Sequence, residues 1–188
     1  MRVVIVGVPG VGKTTVVDRL NALLKGSELV NFGTLMLEHG LRLKWVKHRD
    51  ELRKLSVEKQ RTLQTFAAAA ISRMKAKAVI VDTHLFIRTK EGYWPGIPFE
   101  VARALKPTHL VLVEASAEEV LTRRARDKGR YRDGATKEDL ALELELARGY
   151  LPVISTLTGA PSFIVENSEG GSDRAAEKVA RVLRESTK

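Results

Sequence analysis

Short apolar runs along the chain are separated by longer segments in which apolar residues recur every three or four positions. The runs have the length of buried strands, and the longer segments have the periodicity of helices that bury one face. Strands that alternate with helices form a parallel sheet covered on both faces. The pattern therefore predicts a three-layer α/β fold, with five parallel strands at 3–6, 29–32, 78–81, 110–113 and 163–165.

Local signals predict where several helices begin. Ser116 and Thr136 are each followed three residues later by an acid, Glu119 and Asp139, which is the pattern of a capping box. The segment after residue 56 carries one apolar stripe, which we assign to the core rather than to a ligand site. The stripe consists of Leu63, Phe66, Ala67, Ala70, Ile71 and Met74. Residues 92–98, with two prolines and two glycines, are predicted to form a mobile segment.

Length and composition favour one cytoplasmic domain. A chain of 188 residues can bury one sizeable core, so we expect a single domain over 1–188. It contains no cysteine, which excludes disulfides and cysteine-bound zinc and fits a reducing compartment. The first apolar run is too short for a signal peptide, and no stretch approaches the ~18 apolar residues of a membrane span. We therefore expect no membrane partner.

The net charge of +9 raises the question of a nucleic-acid partner. Much of the basic charge lies in two segments, 42–59 and 123–132, and aromatic residues make up only 5% of the chain. Non-specific binding of nucleic acid usually combines basic residues with exposed aromatic side chains that stack on bases. The charge pattern therefore favours a site for small anions, and we expect no specific nucleic-acid partner.

A complete G-x-x-x-x-G-K-[ST] phosphate-binding loop follows the first predicted strand. Its glycines let successive backbone N–H groups face phosphate oxygens, while Lys13 reaches the β- and γ-phosphates. The Thr14 hydroxyl is a ligand for Mg²⁺, so ATP is expected with Mg²⁺ as cofactor. The residues assigned to ATP binding are Gly7, Val8, Pro9, Gly10, Val11, Gly12, Lys13, Thr14 and Thr15.

Further charged residues indicate phosphoryl transfer. Asp82 ends the predicted strand 78–81, where a second metal-binding acid is expected. The cationic segment 121–133 fits a flap that closes over phosphates, and Arg49, Arg53 and Arg88 indicate a second anionic substrate. A phosphate acceptor is already ionised near neutral pH and needs no strong base, so His84 is interpreted as a packing or capping residue.

Several motifs together resemble the archaeal-type adenylate kinases over nearly the whole chain. They are the phosphate loop, Asn31-Phe32-Gly33, residues 49–55, residues 57–60, Asp82-Thr83-His84 and residues 88–96. The resemblance implies a P-loop NTPase fold with a five-stranded parallel sheet, a nucleoside-monophosphate (NMP) region at roughly 31–74 and a short lid at 123–136. It implies reversible, Mg-dependent phosphoryl transfer from ATP to AMP that gives two ADP. It also implies a homo-oligomer, namely a trimer.

The resemblance further assigns individual residues. Gly33, Arg53, Gln64 and Arg88 are expected to bind AMP. Lys13, Arg88, Arg123, Arg126 and Arg132 are expected to act in catalysis, the last three in the lid. The segment Gly33-Thr34-Leu35-Met36-Leu37 has leucine where bacterial and eukaryotic adenylate kinases keep an arginine for the AMP phosphate, so Arg53 is expected to take over that contact. Arg148 is either a ligand of the transferred phosphate or a solvated helix residue.

Three alternatives remain open at the level of sequence. A P-loop kinase with another acceptor, either CMP or UMP or a small hydroxyl metabolite as in shikimate-type enzymes, would share the loop and the lid. A hydroxyl acceptor would require a base such as Asp50 or Glu51. A nucleotide-binding switch is disfavoured because the chain has no Asn-Lys-x-Asp segment to read guanine. An RNA-associated ATP-binding protein would bind RNA in a salt-sensitive way.

Overall fold

The computed structural model describes residues 1–89, 92–126 and 136–186. The first half of the described chain, in order, comprises β1 (Arg2–Val6), α1 (Lys13–Leu23), β2 (Ser27–Asn31), α2 (Phe32–Arg42), a 3₁₀ helix (Arg49–Lys54), α3 (Val57–Ser72) and β3 (Ala78–Asp82). The second half comprises β4 (Phe86–Thr89), β5 (Gly92–Pro95), α4 (Phe99–Leu105), β6 (His109–Glu114), α5 (Ala117–Arg126), α6 (Lys137–Thr158), β7 (Ser162–Glu166) and α7 (Ser172–Glu185).

Within these ranges, one parallel sheet contains five strands in the order β2-β3-β1-β6-β7. The central strand β1 pairs Val4 with Val81 of β3 on one side and with Leu110 of β6 on the other. All five predicted strands are confirmed, although Phe32 begins α2 instead of ending β2. The carboxyl ends of β1, β3 and β6 therefore meet at one edge, where open α/β sheets bind their ligands.

The core lies around the three central strands. Residues 3–6, 79–81 and 110–113 are almost fully buried, which is why these strands are apolar without alternation. Burying each such valine, leucine or isoleucine side chain contributes about 1.5–3 kcal/mol. Helix α1 packs against α7, and α2, α3, α4 and α6 form a series of neighbouring helices. The sheet edge that carries the ligand site is therefore attached to the most buried part of the protein.

A two-stranded antiparallel sheet formed by β4 and β5 lies outside the main sheet. The prediction of a mobile segment at 92–98 did not anticipate β5, which pairs Tyr93 with Arg88. The strand begins at Gly92 and ends at Pro95. Because glycine and proline indicate turns, they outweighed the aromatic pair Tyr93 and Trp94, which is typical of strands. The Gly96 N–H donates to the carbonyl of Leu85 at 2.7 Å. A Cβ at Gly96 would collide with the carbonyl of His84, so the close return of the hairpin requires glycine there.

Both predicted capping signals are present. The Thr136 hydroxyl accepts from the Asp139 N–H, and the Asp139 carboxylate accepts from the Thr136 N–H, each at 3.1 Å. Ser116 and Glu119 exchange hydrogen bonds in the same reciprocal way. In the described part of the chain, no helix combines the length and the apolar character needed to cross a bilayer.

Candidate nucleotide-binding site

The phosphate loop joins β1 to α1, so its backbone N–H groups lie at the N-terminus of a helix. Gly10 and Gly12 have φ of 100° and 82°, values that residues with a side chain rarely adopt. A Cβ at Gly12 would also collide with the side-chain amide of Asn167. The helix dipole and the free N–H groups of the first turn make this end of α1 a site for an anion.

Lys13 begins α1 and is buried, and its ammonium forms an ion pair with Oδ1 of Asp82. The other carboxylate oxygen of Asp82 accepts from Nδ2 of Asn31 at 2.7 Å. Burial, followed by the charge of Arg49, lowers the pKa of Lys13 to about 8. The Asp82 carboxylate acts in the opposite direction and favours the charged ammonium. The two residues predicted for the phosphate and the metal are thus in direct contact.

The residues around Asp82 fit a magnesium ion that arrives with a nucleotide. Thr14, one residue after Lys13, is exposed at the start of the helix and offers a hydroxyl oxygen, and Asp82 offers carboxylate oxygens. Among the described residues, no group of three or more His, Cys, Asp or Glu side chains could hold a metal ion. Mg²⁺ is usually bound by one or two protein oxygens together with substrate phosphates and water. The donor set therefore suits a nucleotide-bound Mg²⁺.

His84 supports the phosphate loop. Its Nδ1–H donates to the carbonyl of Gly7 at 3.0 Å, which fixes the tautomer because a carbonyl can only accept. Burial, with a further contribution from the Lys13 charge, lowers the pKa of His84 to about 3. The imidazole is therefore neutral at physiological pH and holds the loop.

Two residues from the segments after β6 and β7 hold the outer side of the loop. Arg123 donates to the carbonyls of Val11 at 3.0 Å and Asn167 at 2.9 Å. Buried Asn167 also donates to the Val11 carbonyl, at 2.8 Å. Arg126 is exposed and pairs with Glu169 at 3.2 Å, whereas the predicted Arg132 lies outside the described residues. The predicted lid residue Arg123 is thus anchored on the phosphate loop itself.

Gly33 and Arg49, both predicted for the acceptor side, lie at the start of α2. Asn31 caps this helix by accepting from the Thr34 N–H, and the same Oδ1 accepts from Nη2 of Arg49, both at 3.0 Å. A Cβ at Gly33 would lie 2.6 Å from Nη2 of Arg49, so glycine leaves room for that guanidinium. Arg53 lies in the 3₁₀ helix and is exposed.

Gln64 and Arg88 complete the predicted acceptor set. Gln64 is buried on α3 and donates to the carbonyl of Pro95 at 3.1 Å, which ties α3 to the hairpin. Arg88 is exposed on β4 and approaches Asp139 at 3.5 Å and Glu143 at 4.0 Å. The Thr136 N–H, and after it the Arg88 charge, lower the pKa of the Asp139 carboxyl.

Arg148 is paired with a buried acid. Its Nε and Nη2 donate to the two carboxylate oxygens of Glu114, each at 2.8 Å. Glu114 ends β6 at the ligand edge of the sheet. This bidentate pair connects α6 to the carboxyl end of the strand.

The structure brings to the site four residues that the sequence pattern did not indicate. They are Asn31 as the partner of Asp82, Arg124, Glu143 and Asn167. Glu143 carries the clearest signal, because Leu140, Ala147 and Leu151 share its helix face and are buried. An acid on an apolar stripe indicates a buried carboxylate that needs a cationic partner.

The fold is that of a P-loop NTPase, because a strand–loop–helix phosphate site lies at the edge of a parallel sheet. The lysine of the loop and the acid at the end of β3 are the polar residues typical of a phosphotransferase. The family model described as an AAA domain matches residues 6–141. Shikimate kinase from Acinetobacter baumannii has a similar fold, with a TM-score of 0.65 and 19% identity over 98% of this chain and 93% of that one.

Curated relatives are much more similar in sequence. Adenylate kinase from Pyrococcus horikoshii is 42% identical over 96% of this chain and 94% of its own length. Adenylate kinase from Methanocaldococcus jannaschii is 41% identical over 97% of both chains. The chain belongs to the adenylate kinase family.

Proposed function

We propose that this protein catalyses the reversible transfer of the γ-phosphoryl group of ATP to AMP, with two ADP as products. The observation that carries the proposal is the similarity to curated adenylate kinases over nearly the full chain. An acceptor with a hydroxyl group, as in shikimate kinase, is not favoured, because the structural likeness to that enzyme rests on 19% identity.

In the proposed reaction, an AMP phosphate oxygen bonds to the γ-phosphorus while the bond to the β–γ bridging oxygen breaks. The acceptor oxygen is already ionised near neutral pH, so no side chain has to remove a proton. Lys13 and the loop N–H groups stabilise negative charge on the β- and γ-phosphates of the donor. Arg53 and Arg88 bind the AMP phosphate, and Gly33 and Gln64 border its nucleoside.

We further propose that Mg²⁺ accompanies ATP and is held by the Thr14 hydroxyl and the Asp82 carboxylate. When bound, it supplies charge stabilisation on the β- and γ-phosphate oxygens. The hard oxygen donors at both positions support this assignment. Asn31 keeps one Asp82 oxygen in a fixed direction through its amide.

Two parts of a single domain are proposed to close on the substrates. The first is the NMP region at 31–74, which is supported by the contacts of Asn31, Arg49 and Gln64. The second is the lid at 123–136, to which Arg123, Arg126 and Arg132 belong. Closure would exclude water, which otherwise competes with AMP as acceptor.

We propose a homo-oligomer, namely a trimer, from the resemblance to the archaeal-type adenylate kinases, and an exposed apolar stripe on α6 supports an interface between copies. Leu142, Leu146, Val153 and Leu157 are each 37–49% exposed. At 100° per residue they fall within an arc of about 60° on one side of the helix. A second copy of the chain is the proposed occupant, and light scattering should show the loss of the assembly in a Leu146→Glu/Val153→Glu variant.

The location proposed for this activity is the cytoplasm, where ATP and AMP are available. A sequence without cysteine is compatible with that reducing compartment.

The test is incubation of the purified protein with Mg-ATP and each of AMP, CMP, UMP and GMP, with diphosphates separated by chromatography. Lys13→Ala, purified in parallel, controls for contaminating kinases. Strong ADP formation with AMP that is lost in Lys13→Ala is the expected result. Transfer to CMP or UMP instead of AMP, or to no monophosphate, would overturn the proposal.

A further inference from the structure

One face of α6 places acidic residues next to the candidate site. Asp139 lies on the rim of this face, and Glu143, one turn later, is buried with 7% of its side chain exposed. Ala147, another turn on, is close to Gly7 of the phosphate loop and to Leu85 and Phe86 of the segment leading into the hairpin. The face formed by Asp139, Glu143 and Ala147 therefore lies where the phosphate loop and the β4–β5 hairpin meet.

The two carboxylate oxygens of Glu143 face different arginines. Oε2 accepts from Nη2 of Arg124 at 3.3 Å, and Oε1 lies 4.0 Å from Nη1 of Arg88. Arg124 belongs to α5, and Arg88 belongs to the hairpin. One buried negative charge is thus shared by two guanidinium groups from separate elements.

Arg124 is attached to the phosphate loop on its other side. Its Nε and Nη2 donate to the carbonyl of Pro9 at 2.9 and 2.6 Å. A Cβ on Gly10 would lie 3.1 Å from Cγ of Arg124, so this side chain runs directly along the loop. Glu143 therefore connects Arg124, whose guanidinium contacts the phosphate loop, to Arg88, whose guanidinium is proposed to bind the acceptor phosphate.

We propose that Glu143 is a positioning residue. Its carboxylate holds Arg124 against the phosphate loop and draws Arg88 toward the same carboxylate. The positive charges on the donor side and on the acceptor side are thereby held at a fixed separation. This inference rests on the proposed phosphoryl transfer between two nucleotides. The attraction of one carboxylate for two guanidinium groups offsets the repulsion between them. In-line transfer depends on such placement, since a small displacement of a positioning group can cost about 100-fold in rate.

Asp139 and Glu143 have different parts in this arrangement. Asp139 is partly exposed and holds Arg88 at the rim, where an incoming phosphate can replace it. Glu143 is buried and contacts Arg124 as well as facing Arg88. The buried acid, rather than the rim acid, is therefore the one that should affect the chemical step.

The test compares Glu143→Gln with Glu145→Gln, the same substitution at an exposed position two residues further along α6. We expect Glu143→Gln to lower kcat by about ten- to 100-fold with KM for ATP and AMP within about threefold of wild type. Glu145→Gln should match wild type. Both should be assayed well below the melting temperature of each variant, which is measured by calorimetry.

The double variant Glu143→Gln/Arg124→Gln leaves no unpaired charge in this pair, and it carries the test if Glu143→Gln does not fold. Its kcat should also be at least about tenfold below wild type. Where Glu143→Gln folds, the single variant Arg124→Gln is measured as well, and the loss in the double variant should be smaller than the product of the two single losses. A wild-type kcat in Glu143→Gln or in the double variant would overturn the inference, as would losses that multiply. A kcat that recovers fully on cooling would show a purely structural role and overturn it as well.

The same assay separates this inference from the proposed function. If wild-type protein forms no ADP from AMP, the proposed function fails. If wild-type protein is active and Glu143→Gln is equally active, the function stands and only the role of Glu143 is rejected.

Discussion

The donor side and the acceptor side of the site differ in how their charges are held. On the donor side, Lys13, Asp82 and Asn167 are buried and bonded to one another or to the loop. On the acceptor side, Arg53 and Arg88 are exposed, and Arg88 touches its acids only at 3.5 and 4.0 Å. The fold thus fixes the charged side chains of the donor side, whereas the positions of the acceptor arginines depend on the anion that binds to them.

The difference follows from where each side is attached. The phosphate loop is continuous with the central strand β1 and is contacted by residues that follow β6 and β7. The acceptor arginines lie on a 3₁₀ helix and a hairpin outside the main sheet. A substitution on the donor side should therefore affect the chemical step, and one on the acceptor side should affect the affinity for AMP.

The largest effect is expected for Lys13→Ala. Loss of an ammonium aimed at the transferred phosphate should lower kcat by at least about 10²–10³-fold. Binding of AMP, measured by calorimetry, should change little, because its proposed ligands lie on the other side. Exposed Lys25→Ala is the matched control. More than about a tenth of wild-type turnover in Lys13→Ala would contradict a donor role for this lysine.

Arg88→Ala should act on the acceptor side. Removing a charge-assisted hydrogen bond worth about 1.5–3 kcal/mol should raise KM for AMP about ten- to 100-fold, with a much smaller change in KM for ATP. Arg103→Ala serves as the control, because it removes an exposed arginine on α4 whose 2.8 Å ion pair with Glu100 is itself exposed and contributes little to stability. Equal changes for both nucleotides would remove the distinction between the two sides at this residue.

Gly96→Ala tests whether the hairpin must be held in place. Because a Cβ there collides with the His84 carbonyl, the substitution should lower the free energy of unfolding by about 1–3 kcal/mol. Gly149→Ala, in a helix with open space around the Cβ position, should be neutral or stabilising by up to about 1 kcal/mol. Urea unfolding of both variants measures these free energies. A Gly96→Ala variant with the wild-type free energy of unfolding would show that the hairpin can shift without loss of stability.

The smallest effect concerns His109, at the opposite end of the sheet from both sides of the site. Burial, and after it the positive N-terminus, lowers the pKa of His109 below its ordinary value. As pH falls through about 6.5, the unfolded chain takes up a proton that the folded chain resists, so stability is lost.

The expected slope from His109 is at most about 1.4 kcal/mol per pH unit below pH 6.5. His109→Gln should flatten the pH dependence of the free energy of unfolding and leave the kcat and KM values unchanged. His84 titrates in the same direction, so the difference between variant and wild type isolates His109. A variant with the wild-type slope would assign the acid sensitivity elsewhere.

Sequence pattern predicted the five strands of the main sheet and brought the phosphate loop and Asp82 to the same edge. The strands and the loop could be predicted because each is encoded by residues that are neighbours in the sequence. The contacts of Glu143 with Arg88 and Arg124 join three separate elements, and no local pattern states which elements become neighbours. The β4–β5 hairpin was missed for a related reason, since its strands are short and their pairing is visible only in three dimensions.

The ion pair between Lys13 and Asp82 makes nucleotide binding a competition. Before ATP arrives, the ammonium already has an anionic partner, so a phosphate chain binds by replacing a carboxylate rather than by neutralising a free charge. The measured affinity is then the difference between two interactions, and it grows with the charge of the incoming chain. A triphosphate displaces the carboxylate more readily than a monophosphate does. The donor site can therefore prefer ATP over AMP by charge, although both carry the same base.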